Sequence, residues 1–174
     1  MSHEIKFQDG ESYEQWMGIW SQLIGDQFLE WLSPEEDQRW IDIGCGNGTF
    51  TEQIYNSHSP KEIQALDPSQ EQIDFALQRI RSDNVSFQVG DAMNLPFEAN
   101  RFDYATMALV LFFVPDPAAG AMEMVRVTKR EGSVSAYVWD VLEGGLPNEV
   151  ISAQLRQLDI AYPMAPSAEV SRMG

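Results

Sequence analysis

Apolar positions along this chain fall into short blocks separated by stretches in which they recur every three or four residues. The blocks are rich in Ile, Val, Phe and Tyr, and most of them end at or beside glycine or aspartate, a pattern typical of strands. They predict strands over 40–43, 63–67, 85–89, 102–108 and 133–139. The helical spacing predicts helices over 12–32 (one or two), 49–56, 68–81, 118–128 and 148–160. This alternation favours an α/β fold with a doubly wound, mostly parallel sheet.

Length and charge narrow the class of protein. The chain has 174 residues, 44% of them hydrophobic, so a single domain over 1–174 with a helical lid over 12–32 is expected. Acidic residues outnumber basic ones by 27 to 11, and the net charge of −16 argues against nucleic-acid and membrane partners. No apolar run reaches the ~18 residues of a membrane span, and no basic-then-apolar leader is present, so a cytoplasmic protein is expected.

A turn with glycine at every second position follows the first predicted strand. Gly44, Gly46 and Gly48 tolerate positive φ angles and close approach of a ligand, and the next helix would direct free N–H groups at that ligand. The third glycine comes one residue earlier than in the dinucleotide fingerprint, which disfavours an NAD-dependent oxidoreductase. Asp67 lies nineteen residues after Gly48, near the distance at which such sites place an acid on ribose hydroxyls. A purely structural turn is the alternative.

Three further features bear on a site. The apolar loop 109–117 is either a buried crossover or the wall of an apolar pocket. Cys45, the single cysteine, is expected to be a packing residue rather than a nucleophile, and no metal site is expected. An electronegative crevice is predicted, which suits a cationic ligand, because four predicted strands end at or near an aspartate: Asp42, Asp67, Asp91 and Asp140.

Successive segments resemble the signatures of class I S-adenosylmethionine-dependent methyltransferases, particularly the group similar to the ubiquinone and menaquinone C-methyltransferases. They are IDIGCGNG (41–48), ALDPS (65–69), GDAMNLPF (90–97), FD (102–103), VPDP (114–117) and VRV (125–127). The resemblance implies S-adenosylmethionine as the cofactor and methyl transfer to a small-molecule acceptor.

The resemblance also implies roles for individual residues. The glycine turn would pack against the methionine part of the cofactor and Asp67 would hold its ribose. Asp91 would reach the exocyclic amine of adenine, although a turn-forming role is the alternative, and Ala92 would offer a backbone N–H. Leu109 and Val110 would cover the sulfonium side. The cofactor-binding set is then Asp42, Gly44, Cys45, Gly46, Asn47, Gly48, Asp67, Pro68, Asp91, Ala92, Met93, Leu109, Val110, Tyr13 and Trp20.

Catalysis would rest on alignment of the acceptor with the methyl group. Asp140 is the first candidate for a general base and Tyr13 the second, with a capping role as the alternative for Asp140. His58 is expected at the opposite edge of the sheet. Phe112 stands where relatives often have His or Asn.

The leader from Tyr13 to Trp20 resembles a lid, although a core-facing stripe is the simpler interpretation.

Two features depart from the family pattern. The segment 129–132 replaces the usual Pro-Gly-Gly turn, and the change should be confined to that turn. The family's final antiparallel pair of strands is also missing, so we expect the sequence to be either a fragment or a shortened homologue. The fifth strand, which lacks Pro and Lys, should therefore have an exposed edge, and either a second copy in a homodimer or the segment 148–162 would cover it. Cofactor binding with weak turnover is expected. The alternative function is a non-catalytic S-adenosylmethionine-binding or interaction module.

Overall fold

The computed structural model describes residues 18–140, together with Gly145, Gln154, Gln157 and Leu158. Tyr13 and the first part of the predicted lid lie outside the described residues. So do most of the predicted helix 148–160 and the whole tail that follows it.

The sheet has five parallel strands. In chain order the elements are α1 Ile19–Leu32, β1 Arg39–Ile43, α2 Thr49–His58, β2 Glu62–Asp67, α3 Gln70–Arg79, β3 Val85–Val89, β4 Phe102–Ala108, a 3-10 helix Leu111–Phe113, α4 Pro117–Val127 and β5 Thr128–Tyr137. The strand order is β3-β2-β1-β4-β5, and every pairing is parallel. The predicted α/β fold is confirmed. The order reverses between β1 and β4, and ligands of such sheets bind outside the carboxyl ends of the strands at that point.

Apolar layers cover both faces of the sheet. Trp40 is fully buried on one face, where Phe28 of α1 and Ile54 of α2 pack beside it. Ile41 is buried on the other face with Met124 of α4, because successive strand residues point to opposite faces. Burial of each such side chain stabilises the fold by about 1.5–3 kcal/mol. The two central strands are therefore a rigid support for whatever lies at their carboxyl ends.

Two of the helices begin at side-chain caps. The hydroxyl of Ser69 accepts from the N–H of Gln72 at the start of α3, and the Asp116 carboxylate accepts from the N–H of Ala119 at 3.0 Å at the start of α4. Such caps satisfy N–H groups that the first helical turn leaves free. Among the described residues, no helix is long and apolar enough to cross a bilayer.

The fifth strand differs from the prediction at both ends, since it spans Thr128–Tyr137 rather than 133–139. Thr128 pairs with Phe102 directly after α4, and a register shift then accommodates the charged residues that were predicted as a turn. A Cβ on Gly132 would lie 2.6 Å from the carbonyl oxygen of Asp103, so the strands approach too closely there for a side chain. The prediction was wrong because a charged stretch ending in glycine is typical of a turn.

This correction changes the picture of the outer edge of β5. No strand pairs with that edge among the described residues. Its first half carries an irregular register and the exposed, charged Arg130 and Glu131, features that discourage edge pairing. The unprotected edge was expected over 133–139, which does not include these charged residues, and a homodimer through that segment stays a prediction.

α1 buries some of its apolar residues against the sheet and leaves others exposed, among them Trp31, which is 73% exposed. Phe28 and Leu29 are buried against the sheet, which fits the core-facing interpretation. Trp20 and Leu23, in the first half, are 50% and 52% exposed. The first half of α1 therefore leaves an apolar surface open, as a lid would.

Candidate functional site

The glycine turn joins β1 to α2 and is tied to the end of β2. Gly44, Gly46 and Gly48 have φ angles of 74°, 51° and 83°, a region that costs other residues roughly 1–2 kcal/mol. The N–H groups of Gly44 and Cys45 both donate to the carbonyl of Leu66, at 2.7 and 2.9 Å. The turn is thus held against the carboxyl end of the neighbouring strand.

The three glycines have different surroundings. A Cβ on Gly44 would lie 2.3 Å from Cγ1 of Val110, and one on Gly48 would lie 3.0 Å from a side chain of α3. A Cβ on Gly46 would meet nothing closer than Oε1 of Gln72, at 3.9 Å. Gly44 and Gly48 are therefore required for packing, whereas Gly46 faces open space that a ligand could fill.

Asp67, the last residue of β2, connects the glycine turn to α3. One carboxylate oxygen accepts from the N–H of Gly46 at 3.0 Å and the other from the N–H of Ser69 at 2.9 Å. Burial raises the pKa of Asp67, and these two hydrogen bonds act in the opposite direction. A carboxylate offers about four acceptor positions, so each oxygen can accept one further donor, such as a hydroxyl of a diol.

Asp42 lies within β1 and is only 1% exposed. The hydroxyl of Thr51 donates to its Oδ2 at 2.6 Å, whereas its buried Oδ1 has no hydrogen-bond partner. The pKa of Asp42 is raised to about 7, because burial, with a smaller contribution from the neighbouring Asp67, raises it more than the Thr51 hydrogen bond lowers it. A buried oxygen without a partner is costly, so this carboxyl group suits a proton or a nearby cationic ligand. The sequence interpretation missed Thr51, whose signal is a polar residue on the apolar face of α2.

Asn47, within the turn, binds the first residue of α2 through its side chain. Its Oδ1 accepts from the N–H and the hydroxyl of Thr49, at 3.3 and 2.7 Å. The guanidinium of Arg79 donates to the Asn47 carbonyl at 3.1 Å and also binds Glu52. The first N–H of α2, which was expected to face a ligand, is therefore satisfied within the chain.

Cys45 is a packing residue. Its side chain is 7% exposed and lies with Ala65 and Ile73 in a small apolar cluster. Burial raises the pKa of the thiol, and the carboxylates of Asp42 and Asp67 raise it further. A neutral thiol in this environment is a poor nucleophile.

The predicted adenine-binding residues form a turn after β3. The N–H of Met93 donates to Oδ1 of Asp91 at 2.8 Å, so the turn-forming role is present. Asp91 itself is exposed, while Ala92 and Met93 pack against the main core. The second carboxylate oxygen of Asp91 does not contribute to that bond. Pro68, on the neighbouring strand end, is exposed.

The loop after β4 closes over the glycine turn. Leu109 is buried at a φ angle of 61°, and its N–H donates to the carbonyl of Tyr137 at 2.9 Å. Val110 then contacts Gly44. Farther along, Val114 is buried whereas Phe113 is 43% exposed. The loop is therefore a crossover that is buried only in part, and its start lies beside the turn.

The structure describes only one of the two candidate catalytic residues. Asp140 is exposed and lies three residues beyond the end of β5, and its main-chain carbonyl accepts from the N–H of Gly145 at 2.8 Å. Tyr13 lies outside the described residues. His58 ends α2 just before the amino end of β2. Within the described part of the chain, no cluster of His, Cys, Asp and Glu could hold a metal ion.

Comparison with known proteins gives a consistent result. The family model described as a methyltransferase domain matches residues 41–136. An uncharacterized methyltransferase of Schizosaccharomyces pombe is 34% identical over 117 residues, which are 62% of this chain and 42% of that protein. The demethylmenaquinone methyltransferase of Staphylococcus epidermidis is 31% identical over 125 residues, 71% of this chain and 50% of that enzyme. The chain thus spans about half the length of these curated relatives.

A solved structure shares the fold. The SAM-dependent methyltransferase from Aquifex aeolicus has a TM-score of 0.67 at 18% identity, over 87% of this chain and 88% of that one. Similarity at this level of identity shows the architecture alone.

Proposed function

The chain belongs to the methyltransferase domain family, and we propose that it transfers the methyl group of S-adenosylmethionine to a small-molecule acceptor. The observation that carries this proposal is the open space over Gly46, whose N–H is held by the Asp67 carboxylate. The glycine turn follows β1, one of the two strands between which the strand order reverses, and such a reversal is the usual ligand position in these sheets.

The residues around Gly46 fit this cofactor. S-adenosylmethionine carries a sulfonium and an ammonium group, and the partnerless oxygen of Asp42 is a buried group whose charge such cations would offset. Asp67 retains acceptor capacity for the two ribose hydroxyls. Asp91 would accept from the adenine amine, beside Ala92 and Met93.

The cofactor, when bound, supplies an activated methyl group and its own leaving group, adenosylhomocysteine. The chain has to bind, orient and exclude water. Leu109 and Val110 would form the apolar cover beside the methyl group, where they would exclude water. Correct alignment of two reactants can supply about 7–11 kcal/mol of the barrier. Asp140 and, second, Tyr13 remain the proposed proton acceptors.

A small-molecule acceptor is supported by charge and by α1. The net charge of −16 opposes a polyanionic substrate. The exposed Trp20 and Leu23 give the first half of α1 an apolar surface that a lid over 12–32 would use. One relative is named for demethylmenaquinone. A single domain, a cytoplasmic location and the absence of nucleic-acid or membrane partners stay predictions.

A product assay tests the reaction. The chain is incubated with S-adenosylmethionine and a panel of quinols, phenols and small amines, and adenosylhomocysteine and methylated product are quantified together. Equal amounts of both products from one acceptor are expected. Cofactor binding without transfer to any member would favour the alternative, a non-catalytic binding module.

Replacement of Asp67 by Ala should weaken S-adenosylhomocysteine binding by about tenfold to a hundredfold, because hydrogen bonds to a charged acceptor contribute about 1.5–3 kcal/mol. Calorimetric titration measures the change. Asp103→Ala is the matched control, since Asp103 also accepts from a backbone N–H, that of Arg39 at 2.9 Å, but lies near the start of β4. A folded Asp67→Ala variant with an unchanged dissociation constant would remove Asp67 from the site.

A further inference from the structure

Glu123 and Arg126 form a bidentate ion pair one helical turn apart on α4. The guanidinium donates to the two carboxylate oxygens at 2.6 and 2.7 Å, the strong parallel arrangement available to arginine. The hydrogen bond from Arg126 holds the pKa of Glu123 below its usual range. These are the only charged side chains of α4, and both point to the same segment of the chain.

The pair binds the backbone of the segment that follows the Asp91 turn. Arg126 donates to the carbonyl of Phe97 at 2.7 Å and to that of Leu95 at 2.9 Å. Glu123 accepts from the N–H of Leu95 at 2.8 Å. One ion pair thus binds three main-chain groups around the buried Leu95. The Leu95 carbonyl also accepts from the N–H of Phe97 at 2.8 Å, whereas a buried N–H or carbonyl left without any partner is costly.

The bound segment continues directly from the Asp91 turn. The N–H of Asn94 donates to the Asp91 carbonyl at 3.1 Å, and that of Met93 to the Asp91 side chain at 2.8 Å. The next residue, Leu95, is the first one that the ion pair binds. At the other end of the turn, the N–H of Gly90 donates to the carbonyl of Asp67 at 3.1 Å. The turn is therefore fixed at one end by the strand ends and at the other by α4.

We propose that Glu123 and Arg126 are positioning residues for the Asp91 turn and thereby set the selectivity for the amino group of the cofactor's base. The inference rests on the proposed function, because Asp91 is assigned to that amine only if S-adenosylmethionine is the cofactor. Release of the Leu95 segment would let the turn shift, and the Asp91 carboxylate would lose its fixed direction. The ion pair acts through Asp91 and touches no reacting atom.

The test compares two ligands that differ at that edge of the base: adenine carries the amine, whereas hypoxanthine carries a carbonyl in its place and a proton on the adjacent N1. Dissociation constants for S-adenosylhomocysteine and S-inosylhomocysteine, which lacks the amino group, are measured for the wild type and Arg126→Gln. The wild type should prefer the adenosyl ligand. In the variant, the ratio of the two dissociation constants should be about tenfold smaller, the size expected for loss of one charged hydrogen bond. A merely structural role would lower the melting temperature and leave the ratio unchanged.

Lys129→Gln is the matched control. It breaks an ion pair of similar exposure, Lys129 with Asp103 at 2.6 Å, that lies outside the Asp91 turn. Its ligand ratio should equal that of the wild type. If Arg126→Gln does not fold, Glu123→Gln and Arg126→Lys serve in its place. A folded variant that keeps the wild-type ratio overturns the inference, whereas a wild type that binds neither ligand overturns the proposed function itself.

Discussion

Gly46→Val should abolish S-adenosylhomocysteine binding and leave the fold in place. The nearest atom to a Cβ on Gly46 would be Oε1 of Gln72, 3.9 Å away. A branched side chain would therefore fit without a clash and occupy the space beside Asp67 that the ligand needs. The φ angle of 51° adds strain of about 1–2 kcal/mol, which is small beside the roughly 5–15 kcal/mol stability of a domain. Titration calorimetry together with circular dichroism should find a folded protein with affinity reduced more than about a hundredfold.

Gly48→Ala is the contrasting variant. A Cβ there would lie 3.0 Å from the Cβ of Ala76, so this change should lower stability while the folded protein retains its affinity. Gly46→Ala should fall between wild type and Gly46→Val in affinity. Wild-type binding by Gly46→Val would mean that the turn has a structural role only.

Asp42→Asn should make the protein more stable at pH 8 and change little near pH 4. The folded protein holds the Asp42 proton up to a pKa of about 7, against 3.8 for an ordinary aspartate. The stability that this proton contributes is fully present below about pH 4 and is lost as the pH rises to about 7. A pKa shift of this size corresponds to about 4 kcal/mol in the free energy of unfolding. Asparagine stays neutral throughout and retains an acceptor for the Thr51 hydroxyl.

Urea denaturation of both proteins at pH 4, 6 and 8 measures this difference. The free energy of unfolding of Asp42→Asn relative to wild type should rise across the series. Thr51→Val is the control, and its free energy of unfolding relative to wild type should fall across the series. Loss of the hydroxyl removes the one bond that lowers the Asp42 pKa. A difference that does not vary with pH would show that Asp42 is ionised in the folded protein throughout this range.

Most of the sheet was predictable from the sequence, because β1 to β4 are short segments rich in apolar residues, and β1 to β3 are followed directly by glycine or proline. β4, for example, spans Phe102–Ala108 as predicted. The start of β5 was not predictable, since the pairing of Thr128 with Phe102 depends on a partner far away in the chain. A local pattern of charges and glycine favours a turn there, and tertiary pairing overrides it.

The candidate site was predicted at the level of its segments and less well at the level of contacts. The sequence indicated that Gly46 and Asp67 belong together, and the structure joins them by a 3.0 Å hydrogen bond. The sequence did not indicate that Glu123 and Arg126 bind the Leu95 backbone, because a Glu and an Arg three residues apart are typical of any exposed helix. Their significance depends on a loop that the fold brings against α4.

Titration of the chain with S-adenosylmethionine, S-adenosylhomocysteine and NAD, by calorimetry under one set of conditions, tests the assignment of the cofactor most directly. We expect the first two ligands to bind at one site per chain and NAD to give no heat of binding. Binding of NAD, or of none of the three, would contradict the account.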